Sequence, residues 1–536
     1  MAIFQFQRFL VVAAIAMSML SMAAATGTDS ITCEMEMTDY TFSTQAGFQS
    51  RLATVDEWSC VDESDEIYEL AGEWERLLDE FDVRSGETVF HFQDIILKPA
   101  EDAFHGVPTI VVHAHSKIQI VENAITSASA TTSSITGRKL AVARIGSLEV
   151  LVVRVTDSAG EQPRLGAADI SDRIFATTGG VESLKSQIAS CSGDQLELYE
   201  STRDSNIVDG VLEITIAVAV ADYSHDERKD LERVVNNKLS GLGYSVRSFG
   251  LVLYIMPENT NLGQNNVLGY AYVGGVKSVY KGIPSFQTVI HEIGHNLGLS
   301  HSGLESGSNF FFEEYGDTTC QMGYSIQLNY YDYPQKCFNG AKSYELNWYN
   351  KSAAAIGYED IDITEGSSWR GKLAGVHDYF SPQYDGNACN GYRVVAKIGT
   401  LYISFNRAED FTKDAPYANT VVVTERVIIN NRDYSRQKTN GILAKGGVGQ
   451  FTTSLSEAVT VMICDISYDD TNPAIIDYAD VIVFRNDDAG SVVKSCDREP
   501  PTNKCVVPTD SPSAGPTSAP TVGPTASPSS APTAGP

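Results

Sequence analysis

The sequence predicts an α+β protein in which three folded regions lie between a leader and a tail, and three observations carry that expectation. Between Leu148 and Leu299, apolar runs of strand type alternate with runs of helical spacing. After Trp369 the pattern changes to short strands separated by turn residues, as in a β-sandwich. At both ends the composition departs from that of a packed core, with an apolar leader in front and a Pro/Ser/Thr-rich tail behind. At 536 residues the chain exceeds a single core, and a hydrophobic content of 43% supplies enough material for several. Lys+Arg 39 against Asp+Glu 68 gives a formal charge of -29, which argues against nucleic acid or an anionic membrane as partner.

Residues 1–25 read as a secretory signal peptide: Arg8, the apolar run Phe9 to Met22, then Ala23-Ala24-Ala25 as the cleavage end. That run is too short to span a membrane comfortably, and no other stretch is long and apolar enough. Residues 26–140 form an acidic region with a helical-looking segment from Glu66 to Glu80 and strand-like runs at Thr88 to Leu97 and Thr109 to Val121. His113-Ala114-His115 falls in the last of these, where residues two apart share a face. Such a pair either chelates a metal or simply lies on the surface, and without a third ligand nearby the surface reading is the stronger. The Ser/Thr-rich stretch Thr126 to Thr136 reads as an exposed linker, with Arg138-Lys139 after it as a candidate processing site.

In residues 141–368 the expected order is a strand at Val150 to Val155, mostly helix from Asp169 to Ala189, and a strand at Leu212 to Val220. A helix from Asp226 to Leu242 follows, with Leu231, Val234 and Leu239 inward, then a strand at Phe249 to Met256. In residues 369–500 the strands fall at Arg393 to Ile398, Leu401 to Phe405, Asn419 to Ile429, Val459 to Cys464 and Tyr478 to Phe484. Asp469-Asp470 is either a calcium-binding or, more simply, a solvating acidic pair. Residues 501–536 cannot bury a core and suit an extended, O-glycosylated stalk. Asn350-Lys351-Ser352 is an N-glycosylation sequon.

The most informative stretch is His291-Glu292-Ile293-Gly294-His295-Asn296-Leu297-Gly298-Leu299-Ser300-His301, an HExxHxxGxxH motif. Histidines four apart on a helix lie one turn above each other, so both imidazoles reach one metal ion. The helix has support of its own, because Phe286, Val289, Ile290, Ile293 and Leu297 make an apolar stripe on the other face. Pro284-Ser285 gives its start. Gly298 gives its stop, since a left-handed residue there lets the chain swing His301 back to the ion. Three neutral imidazoles leave one tetrahedral position of zinc open, the arrangement of a catalytic site. Glu292 lies beside the ion as the base that takes a proton from water. The implied chemistry is peptide-bond hydrolysis on a polypeptide substrate, with Zn as cofactor.

The motif, followed by Met322 in Cys320-Gln321-Met322-Gly323-Tyr324, resembles the metzincin metalloproteases, whose zinc motif is followed by a methionine turn. Within them the chain looks most like the gametolysin family of algal cell-wall proteases. The shared residues are the HNLGLSH ending of the motif, Glu314-Tyr315-Gly316-Asp317 leading to Cys320 and Met322-Gly323, and Cys337-Phe338-Asn339. Upstream, Val152-Val153-Arg154-Val155 and Ala189-Ser190-Cys191-Ser192 are also similar to that family. The similarity runs from near Leu148 to near residue 500. Some gametolysin relatives begin the motif with Gln, whereas His291 keeps the ordinary metzincin ligand set and favours plain zinc.

That resemblance implies a metzincin-like zinc protease domain in residues 141–368, behind a propeptide in 26–140 and ahead of the β-sandwich in 369–500. Met322 is then an apolar floor under the ligands. Tyr324 holds the place of a tyrosine that either approaches the metal, stabilising the transition state, or packs against the floor. An edge strand near Tyr270 to Tyr280, with Tyr270, Tyr272 and Val273 around Gly274-Gly275, would bind substrate as an added strand, unless it is an ordinary core strand. Secretion makes disulfides the default for the nine cysteines at 33, 60, 191, 320, 337, 389, 464, 496 and 505, and the odd number leaves one over. Latency has two routes: Cys33 or Cys60 caps the zinc as a thiolate, or the two pair with each other. The expectation is a secreted zinc endopeptidase acting on extracellular or cell-wall protein. The rival is a catalytically silent wall-associated binding or structural protein on the same fold.

Overall fold

A computed structural model of the chain describes residues 29–42, 57–81, 83–102, 106–123, 142–179, 182–263, 267–282, 285–305, 312–323, 335–349, 357–362, 368–380, 392–429, 432–469, 476–485 and 496. The expected signal peptide, the expected linker with Arg138-Lys139, Tyr324, the sequon at Asn350, Cys389, Cys505 and the Pro/Ser/Thr-rich tail lie outside these described residues. The architecture is mixed, with strands outnumbering helices.

The N-terminal region is built from β1 (Asp29–Phe42), β2 (Glu57–Val61), β3 (Ile67–Gly72), α1 (Arg76–Glu80), β4 (Thr88–Lys98), β5 (Thr109–Val112) and β6 (Lys117–Asn123). Pairings β1 to β2, β2 to β3, β3 to β5, β5 to β4 and β4 back to β1 close a five-stranded ring, with β6 added on β4. Its interior holds Met35, Phe90, Phe92, Ile110 and Val112. A disulfide joins Cys33 to Cys60 in the same core, so neither thiol is free to cap a metal.

Two expectations fail here. The segment from Glu66 to Glu80 is not one helix: it divides into β3 and the short α1, because β3 finds hydrogen-bonded neighbours on both sides. Gly72 ends the strand at φ +83, where an added Cβ would lie 2.0 Å from the Val112 carbonyl oxygen. The run from Thr109 to Val121 is two strands, and the turn between them, closed by Ser116 N donating to His113 O at 2.9 Å, takes up His113 and His115.

The central region comprises β7 (Gly146–Thr156), α2 (Ala167–Phe175), α3 (Leu184–Ser192), β8 (Leu196–Glu200), β9 (Ile207–Val208), β10 (Val211–Thr215), α4 (Arg228–Gly241), β11 (Leu251–Met256), β12 (Val267–Val273), β13 (Lys277–Lys281) and α5 (Phe286–Asn296). In the sheet order β10-β7-β11-β13-β12 the first four strands are parallel and β12 alone runs against its neighbour. Alternation along β7 sorts the two faces. Leu148, Val150 and Val152 join Ile170, Ile188, Ile290 and Ile293 on the face covered by α2, α3 and α5. Leu151, Val153 and Val155 join Leu231, Val235 and Leu239 of α4 on the other.

Beyond α5 the chain builds two further sheets. One takes strands Ser302–Glu305, Phe312–Glu313, Tyr358–Asp360, Val395–Ile398, Leu401–Asn406, Thr420–Ile429 and Arg432–Leu443; the other takes Ser368–Ala374, Tyr392–Arg393, Val448–Thr452, Ala458–Ser467 and Tyr478–Arg485. Ile403, Val421 and Val423 of the first share one apolar cluster with Val459, Val461, Val481 and Val483 of the second. Disulfides join Cys191 to Cys337 and Cys464 to Cys496, while Cys320 is free and buried, its thiol pushed up to about 11 by burial and then by Asp317. Among the described residues no helix is long and apolar enough to cross a membrane.

Candidate metal centre

Helix α5 starts where Ser285 accepts a hydrogen bond from Thr288 N at 3.2 Å, a side-chain N-cap. It stops at Gly298, whose φ of +88 lies in the left-handed region, with Gly298 N donating to His295 O at 2.7 Å and Leu299 N to Gly294 O at 3.0 Å. Arg144 Nε closes the helix end on Leu297 O at 2.9 Å. Asn296 ties it to the hairpin of β12 and β13, its amide nitrogen donating to Tyr272 O, Gly275 O and Lys277 O at 3.2, 2.8 and 2.9 Å. The helix therefore sits at a fixed depth on the sheet.

The three histidines picked out by spacing come together. His291, His295 and His301 are buried, and their ligand nitrogens lie within 4.8 Å of one another, the only such group among the described residues. Each turns its Nδ1 outward to an acceptor: His291 to Gln321 O at 2.9 Å, His295 to Leu299 O at 2.7 Å, His301 to Glu314 Oε1 at 2.7 Å. A proton on each Nδ1 leaves the Nε2 lone pair facing inward, which is how acceptors behind metal-binding histidines set their tautomer. His291 Nε2 and His295 Nε2 stand 3.2 Å apart, and His301 Nε2 is buried without a hydrogen bond. Burial, then the neighbouring His295 and His301, hold His291 well below its ordinary pKa and so neutral. Three imidazole Nε2 atoms turned toward one another fit a borderline cation such as zinc.

The segment after His301 builds the floor. Ser302 N donates to Met322 O at 2.8 Å, and Asp317 accepts from Ser302 Oγ and Asn339 Nδ2 at 2.8 Å each, which fixes the turn carrying Met322. Met322 is fully buried against α5: a Cβ added to Gly294 would stand 2.2 Å from its Sδ and 3.1 Å from Phe338. Gly294 is thus required by packing between the two helical histidines. Tyr315 covers His301 with ring centroids 4.0 Å apart. Burial first, then Asp39, Glu314 and Glu292, raise the Tyr315 phenol well above its ordinary pKa. Glu292 itself is fully buried on α5 beside His291.

From the other side comes a residue with no counterpart in the motif. Strand β1 leaves the N-terminal ring and runs antiparallel along β12, pairing Met37 with Val273, Thr38 with Tyr272 and Asp39 with Ala271. Asp39 Oδ1 then lies 3.4 Å from His301 Nε2, and Asp39 Oδ2 lies 4.0 Å from His295 Nδ1.

The family model for gametolysin peptidase M11 matches residues 148–421, just over half of the chain. The chain belongs to the gametolysin family of peptidases. No curated protein and no solved structure matches it. Gametolysin membership makes the protein a metallopeptidase with polypeptide substrates, and the matched span contains the three histidines, Glu292 and Met322. Tyr324 lies outside the described residues. Spacing alone missed Glu314 and Tyr315, which entered only as part of the shared run Glu314 to Asp317, and Asn296, inside the motif but without a role there. Asp39 carries no sequence signal at all.

Proposed function

We propose that the protein is a secreted zinc endopeptidase of metzincin type, made as a zymogen and hydrolysing peptide bonds of extracellular or cell-wall proteins. The observation that carries this reading is the convergence of three inward Nε2 atoms whose Nδ1 atoms are all engaged outward. His291, His295 and His301 would hold the ion. Bound there, zinc supplies Lewis acidity toward water and toward a carbonyl oxygen.

Glu292 supplies the proton transfers: its carboxylate takes a proton from the attacking water and returns it to the leaving amine. Met322 keeps water from beneath the ligands. Tyr324, two residues on, is assigned the oxyanion side on sequence grounds. The peptide would pair along β12 as an added strand, with main-chain bonds giving affinity. In this reading residues 1–25 are the signal peptide, 26–140 the propeptide, 141–368 the catalytic domain, 369–500 a β-sandwich and 501–536 a glycosylated tail.

The test is cleavage of a peptide library before and after limited proteolysis between residues 123 and 142, with and without chelator, in three forms of the protein. Glu292→Gln should keep its zinc and lose about 10²–10⁴-fold in turnover, since the base is not a ligand. His301→Ala should lose zinc and activity together. Full zinc occupancy with near-normal cleavage in His301→Ala defeats the assignment.

A further inference from the structure

Strand β1 occupies the place a substrate would need. β12 is the antiparallel last strand of the central sheet, and its outer side, on which a peptide would add, is covered by Met37 to Phe42. The cover is complete at the reacting groups: Glu292, His295 and His301 have no exposure, His291 has 2%, and Asp39 has 1%.

The position of Asp39 within this cover is specific. His301 already spends Nδ1 on Glu314, and its Nε2 makes no hydrogen bond although Asp39 Oδ1 is 3.4 Å away. With the His301 proton on Nδ1 toward Glu314, its Nε2 lone pair and the Asp39 carboxylate face each other at a distance that a cation can bridge. Ligand atoms about 2.0–2.1 Å from a tetrahedral zinc ion stand roughly 3.3 Å from each other. The His291 to His295 spacing of 3.2 Å and the Asp39 to His301 spacing of 3.4 Å both match, whereas the nearest His295 nitrogen to Asp39 is the outward Nδ1 at 4.0 Å, so the carboxylate has to move inward to complete the tetrahedron.

We propose that Asp39 is the fourth ligand of the metal in the full-length chain, so that β1 acts as a built-in occupant of the peptide site. The proposal rests on the zinc-site reading above and deepens it with the site's regulation. A carboxylate from the N-terminal ring takes the position that water needs, and the strand bearing it takes the edge that a peptide needs. Neither cysteine of that region is required for latency.

The experiment replaces zinc by cobalt(II) in the full-length protein and follows the visible spectrum as acetohydroxamate is added. With Asp39 on the metal, wild type should need at least tenfold more acetohydroxamate than Asp39→Ala for the same spectral change, and Asp39→Asn should fall between them. Equal affinity in all three overturns the proposal. A second measurement does not depend on the variants folding: in the copper(II)-loaded wild-type chain, electron spin-echo spectra in ¹⁷O-water should show no labelled water on the metal, and a directly bound one overturns it. Failure of the full-length chain to take up either metal would sink the zinc-site reading, and this proposal with it. Normal uptake with a bound water sinks only the role of Asp39.

Discussion

The acceptors that orient the ligand histidines differ in kind. Gln321 and Leu299 offer backbone carbonyls, which no substitution removes, whereas His301 depends on the Glu314 side chain. Glu314→Ala should therefore free His301 to rotate and lower metal affinity by about 10–100-fold, while Glu314→Gln, whose amide oxygen can still accept, should lose much less. Competitive titration against a chromogenic chelator measures both, and equal affinity in all forms would leave Glu314 a bystander. Spacing alone brought out His291, His295 and His301 as candidates because the helical period converts sequence offset directly into position, and Gly298 at φ +88 marks the turn that carries the third. Glu314 and Tyr315 sit in irregular chain, where no period relates offset to position. Asp39 was beyond reach for a stronger reason: it arrives through the register of β1 on β12, a pairing between distant segments that no local pattern encodes.

At the level of elements, strands and helices with strong apolar periods were legible, α5 and β11 among them, whereas β3 was hidden under a helical spacing that its two neighbouring strands override. The sequence offered β12 as a docking edge or as a core strand, and it is paired on both sides only because the chain brings its own partner. Besides the β1–β12 pairing, ionic contacts join the acidic N-terminal ring to the central region. Arg247 bonds Glu34, Glu36 at 3.0 Å and Asp65 at 3.2 Å, and Lys229 bonds Glu57 at 3.1 Å with Arg228 beside it. Breaking one partner of a mostly buried ion group leaves charges uncompensated and costs about 3–5 kcal/mol. Once the chain is cut between residues 123 and 142, Arg247→Ala should release the N-terminal fragment with at least about tenfold weaker retention on gel filtration. Unchanged co-elution would show that β1 pairing alone holds the fragment.

Across the whole molecule, the sequence marked a change of pattern near Trp369, and packing runs straight through it. The strand Ser302–Glu305, directly after the last ligand, pairs in parallel with Ser435 to Gln437. Ser435 Oγ donates to Ser302 Oγ at 2.7 Å and receives Asn339 Nδ2 at 3.1 Å, and Asn339 also holds Asp317 in the turn carrying Met322. Val394, Val395 and Tyr402 lie in the same apolar cluster as Ile293, Met322 and Trp348. A chain ending at residue 368 would therefore strip both the hydrogen-bonded support of the methionine turn and part of the core beneath α5. Uncovering several large apolar side chains at about 1.5–3 kcal/mol each is comparable to the whole net stability of an ordinary domain, about 5–15 kcal/mol. The expectation is that a chain ending at 368 fails to bind metal and elutes as aggregate, whereas one ending at 500 binds metal with full-length affinity. Metal content and gel filtration of the two truncations decide it: a monodisperse, metal-binding chain ending at 368 would mean that the later sheets lean on the metal centre without supporting it.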